Sequence, residues 1–330
     1  MASCLNIHAD YACRHAGACC EQDWHVPVEV GLVQLVEARG LGPLEGPRFV
    51  STAGAAGPVT ALGRHRDGAC VFFDRDGGRL CAIHSAAGGD TLPSACRHFP
   101  RIVLNDDRGT FIGISHFCPT AALLLLDPRS AAVVEAPPSL NLRDLEGFEA
   151  RSVLPPLLRP GLLTDLDGYG AWESAAIETL ARRDVTHEQA LGIIAGATGR
   201  ARGWRPGAGA LCSWIQESFD VHANAPADPF VPGLQKQRAA ALEPMSGTRF
   251  PSYAADGEQV WADGRAVLAP FERAIANYLA ARLFANHTAY EAEGLLTIVE
   301  WLRTSLAVLQ REAARIAGNR PAFTPADFVV

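Results

Sequence analysis

The sequence predicts an α+β chain: a small cysteine-rich metal-binding domain with short strands over residues 1–136, then a mainly α-helical domain over 137–330. Three observations carry that expectation. Eight of the nine cysteines (Cys4, Cys13, Cys19, Cys20, Cys70, Cys81, Cys96, Cys118) precede residue 119, and Cys212 stands alone after it. Between them lie short apolar runs bounded by Gly- and Asp-rich turns, the signature of short strands. Beyond the prolines at 137, 138, 155, 156 and 160, apolar residues recur at helical spacing.

Taken in order, the first 28 residues read as a loop-like segment carrying candidate ligands. Residues 28–37 have helical periodicity and end at Gly40. Residues 41–68, rich in Gly, Pro and Ala, read as irregular. Residues 69–73 and 80–83 are expected as a hairpin about Asp74-Arg-Asp-Gly-Gly, which would bring Cys70 and Cys81 close. Residues 94–100 form a tight connection. A second strand pair, 101–104 with 110–114, turns at Asn105-Asp-Asp-Arg-Gly. Cys118-Pro119 opens a helix through Leu126, with proline at the tolerated first position. Helices follow at 168–182, 186–197, 209–219, 267–285 and 287–316. Thr186 and Gln189 have the spacing of a capping box.

Composition bounds the function classes. The chain has 330 residues, 48% of them hydrophobic, with a net charge of -7. An acidic chain without a basic tract argues against nucleic acid and anionic membranes as partners. The apolar run 121–126 is far too short for a bilayer, so no membrane insertion is expected. The N-terminal residues lack a charged segment leading into an apolar one, so the cytoplasm is the expected compartment. Arg and Ala heavily outnumber Lys, as in high-GC bacterial genomes.

Three readings compete for the cysteines. Disulfides require an oxidising compartment, and adjacent Cys19 and Cys20 would be strained as a pair. Inert burial suits Cys212, beside Leu211 and near Trp214, but not thiols flanked by Arg, His, Gly and Asp. Metal ligation suits the N-terminal set best. A structural zinc site usually shows two close pairs, and only Cys19–Cys20 is close here. Ligands dispersed from Cys13 to Cys118 fit an enclosed iron–sulfur cluster better, with [4Fe–4S] expected and zinc as the alternative. Two clusters, or one cluster with spare thiols, are both open. Arg14, Arg97 and Arg101 beside these cysteines could offset thiolate charge or simply form surface ion pairs. His15, His84, His98 and His116 are close enough in sequence to complete a site; His8, His25 and His65 have weaker cases.

The succession Cys13-Arg-His-Ala-Gly-Ala-Cys19-Cys20, Cys70-Val-Phe-Phe, Cys81-Ala-Ile-His, Cys96-Arg-His-Phe-Pro100-Arg101 and Cys118-Pro119-Thr-Ala-Ala resembles the cysteine-cluster family of zinc- or iron-chelating domains. Within it the chain looks most like the flagellin lysine-N-methylase branch. The resemblance covers residues 9–126, with a weaker similarity at 271–284 to a helix near that family's C-terminus. It implies Cys13, Cys19, Cys20, Cys70, Cys81, Cys96 and Cys118 as metal ligands. It also implies methyl transfer from S-adenosylmethionine to a lysine of a protein such as flagellin. One departure stands out: the family's Cys-x-x-Cys has Ala16 at its second position here, and Cys4 is an extra thiol that could substitute.

Such a transfer needs a neutral amine and hence a proton acceptor. Tyr11, Glu21 and Asp23 lie near the ligands, and none is singled out as catalytic. No strand leads into a glycine fingerprint with an acidic residue beyond it, Gly54-Ala-Ala-Gly57 reads as a flexible loop, and the radical Cys-x3-Cys-x-x-Cys spacing is absent. S-adenosylmethionine would then bind unconventionally, at an iron with an open coordination position. A non-catalytic metal-binding or electron-transfer module and a zinc-stabilised interaction protein are the other classes the sequence leaves open.

Overall fold

A computed structural model describes residues 2–22, 24–42, 46–54, 57–75, 78–140, 147–241, 256–319 and 322–329. The chain mixes α and β: helices take about half of it and the strands are short. Strand β1 is Ala2–Leu5, β2 Phe49–Gly54, β3 Gly57–Leu62, β4 Arg101–Asp106 and β5 Gly109–Ile114; β6 Val133–Glu135, β7 Phe148–Glu149, β8 Leu157–Arg159 and β9 Leu162–Leu163 complete them. Five form one sheet in the order β6-β1-β5-β4-β7.

The β4–β5 hairpin is the strand pair that the sequence predicts, running from Arg101↔Ile114 to Asp106↔Gly109. β1 is a correction to the loop expected over the first 28 residues. It lies parallel to β5 and antiparallel to β6, with Cys4 opposite both Ile112 and Val134. Four residues are too few to display a strand's alternation, and the pairing partner is more than a hundred residues away. A second correction falls in 41–68, where β2 and β3 pair from Phe49↔Leu62 to Gly54↔Gly57. Backbone hydrogen bonds build that ladder whatever the side chains, so a Gly-, Pro- and Ala-rich composition hid it. Residues 55 and 56 of the expected Gly54–Gly57 loop lie outside the described residues. A third correction concerns 69–73 and 80–83, which form only the bridge Phe73↔Cys81 rather than a ladder. The chain turns at once into helix, because the Ala82 N–H donates to Phe72 O at 2.7 Å.

Four short helices surround these strands: α1 Ala18–Glu21, α3 Ala82–Ala87, α4 Ser94–His98 and α5 Pro119–Leu123, the last continuing as a 3-10 turn through Leu126. The longer α2, Val30–Ala38, ends as predicted at Gly40, whose φ of 60° is free of the Cβ penalty. Then come α6 Leu166–Ala181, α7 His187–Ala201, α8 Leu211–His222, α9 Pro232–Ala240, α10 Glu258–Leu268, α11 Glu272–Leu283 and α12 Leu295–Ala317. The Thr186–Gln189 capping box is present in both directions. Helix α9 and most of α10 fall where the sequence suggested none. The expected 287–316 helix is interrupted after the 3-10 turn His287–Tyr290 and restarts beyond Gly294, at φ 143°.

Among the described residues four apolar clusters organise the interior, the smallest around Trp261, Ala239 and Ala307. The largest gathers Tyr169, Trp172, Leu191, Leu279 and Leu302 from the helices and takes in Leu5 and Leu104 from the sheet and Ile7 from the turn after β1. A second joins Val26, Leu32, Val36, Cys70, Phe72, Phe73 and Ile83. A third joins Cys4, Tyr11, Ile112, Ile114 and Cys118. Polar side chains fasten sheet to helices. Arg108 lies between the rings of Phe111 and Tyr169, 4.6 Å from each, and pairs with Asp106 and Glu173. Asn277 of α11, fully buried, donates to the carbonyls of Leu125, Asp127 and Arg129 and accepts from the Ala131 N–H. Among the described residues, no helix is long and apolar enough to cross a membrane.

Candidate metal centre

The seven cysteines arrive from separate short elements. Cys13 is on the exposed loop before α1. Gly17, at φ 79°, starts that helix; a Cβ there would lie 2.5 Å from the Phe73 ring, so glycine is required. Cys19 and Cys20 follow on α1 with their sulfurs 3.9 Å apart. Cys70 forms an isolated bridge with Arg64, its N–H donating to Cys20 O at 2.7 Å. Cys81 caps α3, Cys96 lies within α4, and Cys118 caps α5. All seven line one cavity of about 500 Å³. Ala16, where the resembled family has a thiol, lines it too. All nine cysteines are free thiols.

The rest of the described lining is largely apolar, with Tyr11, Thr120, histidines and arginines as its polar groups. Trp24, Ile83, Leu92 and Phe99 contribute surface, with the Trp24 and Phe99 rings edge to face at 4.9 Å. No Asp or Glu lines the cavity among the described residues. Arg64, Arg97 and Arg101 bring cations to the lining, and of these Arg64 carries no signal in the sequence. Its guanidinium donates to the backbone carbonyls of Cys20, Gln22, Gly68 and Trp24, while its buried Nε has no partner among the described residues. Carbonyls hold the group in place without cancelling its charge. That charge acts on Cys19, Cys70 and Cys96.

The thiols differ accordingly. The hydrogen bond from Cys20, with help from Arg64, brings Cys19 down to about 7. Cys20 is pushed up by the same bond and by burial. Burial raises Cys70, Cys81 and Cys96, and the neighbouring sulfurs Cys70, Cys81 and Cys19 raise Cys96 further. Elsewhere in the cavity the Tyr11 hydroxyl is 3.6 Å from the Cys118 sulfur. Burial and that sulfur push the phenol up, so it stays protonated. Arg101 lies 5.6 Å over the Tyr11 ring and its Nε donates to Leu140 O.

Other candidates scatter. His15, His25 and His84 line the cavity, the rings of His15 and His84 being 5.0 Å apart. His98 hydrogen-bonds Ser94, His8 and His116 pair with each other at 3.2 Å, and His65 stands outside the lining. Arg97 lines the cavity but is exposed, and Arg14 is exposed and outside it. Glu21 pairs with Arg79 at 3.1 Å, and Asp23 is outside the described residues. Cys4 is buried in β1 and Cys212 is on α8, neither in the lining. Among the described residues, no three His, Cys, Asp or Glu side chains stand close enough together to hold one metal ion. No family model, no curated protein and no solved structure matches the chain.

Proposed function

We propose that the chain is a thiolate-ligated metalloprotein with an iron–sulfur cluster, most simply [4Fe–4S], in this cavity. We propose further that it acts as a protein lysine N-methyltransferase of the flagellin lysine-N-methylase kind. One observation supports the metal centre above all: seven cysteines from five sequence elements line one cavity whose lining, among the described residues, includes no carboxylate. Thiols without carboxylates suit soft metals rather than magnesium or calcium. Separated sulfurs suit a polynuclear cluster, which takes each thiolate at a different metal atom, better than a single zinc ion. Zinc is the alternative metal.

The methyltransferase reading rests on the sequence resemblance. S-adenosylmethionine supplies the methyl group when bound. The chain's own residues must then seat the lysine side chain and take its ammonium proton. Among the described residues no carboxylate is in the lining and Tyr11 is held protonated, so the imidazoles of His15, His25 and His84 are the described lining groups suited to accept it. The five-stranded sheet has parallel pairs only at β1–β5 and β4–β7 among the described residues, so it offers no doubly wound nucleotide crevice. The cofactor would therefore have to enter the cysteine cavity itself.

The test is anaerobic reconstitution of the full chain with iron and sulfide. A brown protein absorbing near 400 nm supports the cluster; a colourless one that retains zinc through gel filtration supports the zinc-stabilised interaction protein instead. Calorimetry with S-adenosylmethionine on the brown protein, and methyl transfer to flagellin lysines read by mass spectrometry, then test the activity. No heat and no methylation leave a metal-binding or electron-transfer module.

A further inference from the structure

The seven cysteines are not equivalent, and the packing divides them. Cys70 belongs to the second apolar cluster, and Cys20, Cys81 and Cys96 pack against that same cluster. Cys118 belongs to the third, with Tyr11. The Trp24–Phe99 pair stands where the two meet, Trp24 packing on one cluster and Phe99 on the other. Backbone contacts follow the same division. Cys70 bonds Cys20 O and bridges Arg64, Phe73 bridges Cys81, and Arg64 reaches the carbonyls of Cys20 and Gly68. Across the divide, Cys118 touches Tyr11, and the Cys13 sulfur accepts from the His15 N–H at 3.5 Å on an exposed loop.

We infer that the cluster is held on the Arg64 side of the cavity by Cys70, Cys81, Cys96 and one sulfur of the Cys19–Cys20 pair, and that Cys13 and Cys118 form a separate thiol group beside Tyr11. This inference rests on the metal-centre reading above. Adjacent residues seldom both reach one small centre, so the pair contributes one ligand and the set comes to the four that a [4Fe–4S] cube takes; with all four irons ligated, S-adenosylmethionine in this cavity would sit beside the cube rather than on an open iron. Arg64 gives this side a fixed positive charge that the backbone carbonyls orient, which an anionic cluster with four thiolates needs. Cys13 and Cys118 keep their thiols out of the metal.

The experiment reconstitutes full-length single variants anaerobically and measures iron and sulfide per chain with absorbance near 400 nm. Cys70→Ser, Cys81→Ser, Cys96→Ser and the double variant Cys19→Ser/Cys20→Ser are expected to lose most of the bound iron. Cys13→Ser and Cys118→Ser are expected to keep the wild-type iron ratio and spectrum. A second measurement uses wild type only and so does not depend on any variant folding. Maleimide labelling read by mass spectrometry should mark Cys13 equally in loaded and metal-free protein, while loading protects Cys70, Cys81 and Cys96. Loss of iron in Cys13→Ser or Cys118→Ser, or protection of Cys13 on loading, overturns the division and leaves the metal centre standing. A wild-type chain that takes up no iron overturns the metal-centre reading itself.

Discussion

The helical region and the cysteine cavity are held together by different physics. In the helices, amphipathic faces close on a large apolar cluster around Trp172, Tyr169 and Leu302, all fully buried. Around the cavity the elements are four to nine residues long, and much of the order comes from polar ties such as Arg64 and from small clusters that contain thiols. Such short helices are not stable alone. The difference teaches that the first region is stabilised by one large buried core, while the second relies on small clusters and polar ties, with thiols that the proposed metal would draw together.

Substitutions can break or sharpen that contrast. Trp172→Ala should have the largest effect, about 3–5 kcal/mol by urea unfolding, because it empties the helical core and strips Thr198 Oγ1 of the indole N–H at 2.8 Å. A loss below 1 kcal/mol would mean that this core does not dominate.

Next comes a pH effect on the cavity's flank. Burial brings His8 down from 6.5 to about 4. Between those values the unfolded chain binds the extra proton, so this contribution to stability is complete above pH 6.5 and drains away as pH falls towards 4. The amount at stake is about 3 kcal/mol. His8→Gln should flatten the stability–pH curve over that window, and an unchanged slope would remove His8 from the account.

Arg64→Met should cost about 2 kcal/mol in the metal-free chain, since buried carbonyls lose their donor. Arg64→Lys should recover only part of it, because an ammonium cannot span the same carbonyls. Equal stability of Arg64→Met and wild type would show that the polar ties are dispensable. Smallest is Cys13→Ser, exposed and on a loop, with an expected change within about 0.5 kcal/mol by the same unfolding. A larger loss would place Cys13 in the folded framework.

Legibility in the sequence followed the same line. Helices α6, α7, α8 and α12 announced themselves through 3.6-residue periodicity and, at Thr186, a cap whose chemistry is local. The seven cavity cysteines were also legible, since each sits in a short motif with its own flanking residues. Arg64 was not, because its partners are the carbonyls of Cys20, Gln22, Trp24 and Gly68, which any side chains could carry. β1 and the β2–β3 ladder were missed for a related reason: backbone pairing, not side-chain pattern, defines them. Helices α9 and α10 carry few large apolar residues, and their polar faces blurred the period.

The Asn277 contacts described above set an order of events. The peptide groups at 125–131, just beyond the helix that Cys118 caps, find their partner 146–152 positions further along the chain. On a ribosome adding about 5–20 residues per second, that stretch takes roughly 10 s to make. Every cysteine before residue 119 has emerged by then, yet the wall beneath Cys118 is still unfastened. Completion of the cavity's surroundings therefore trails synthesis of its thiols by that interval.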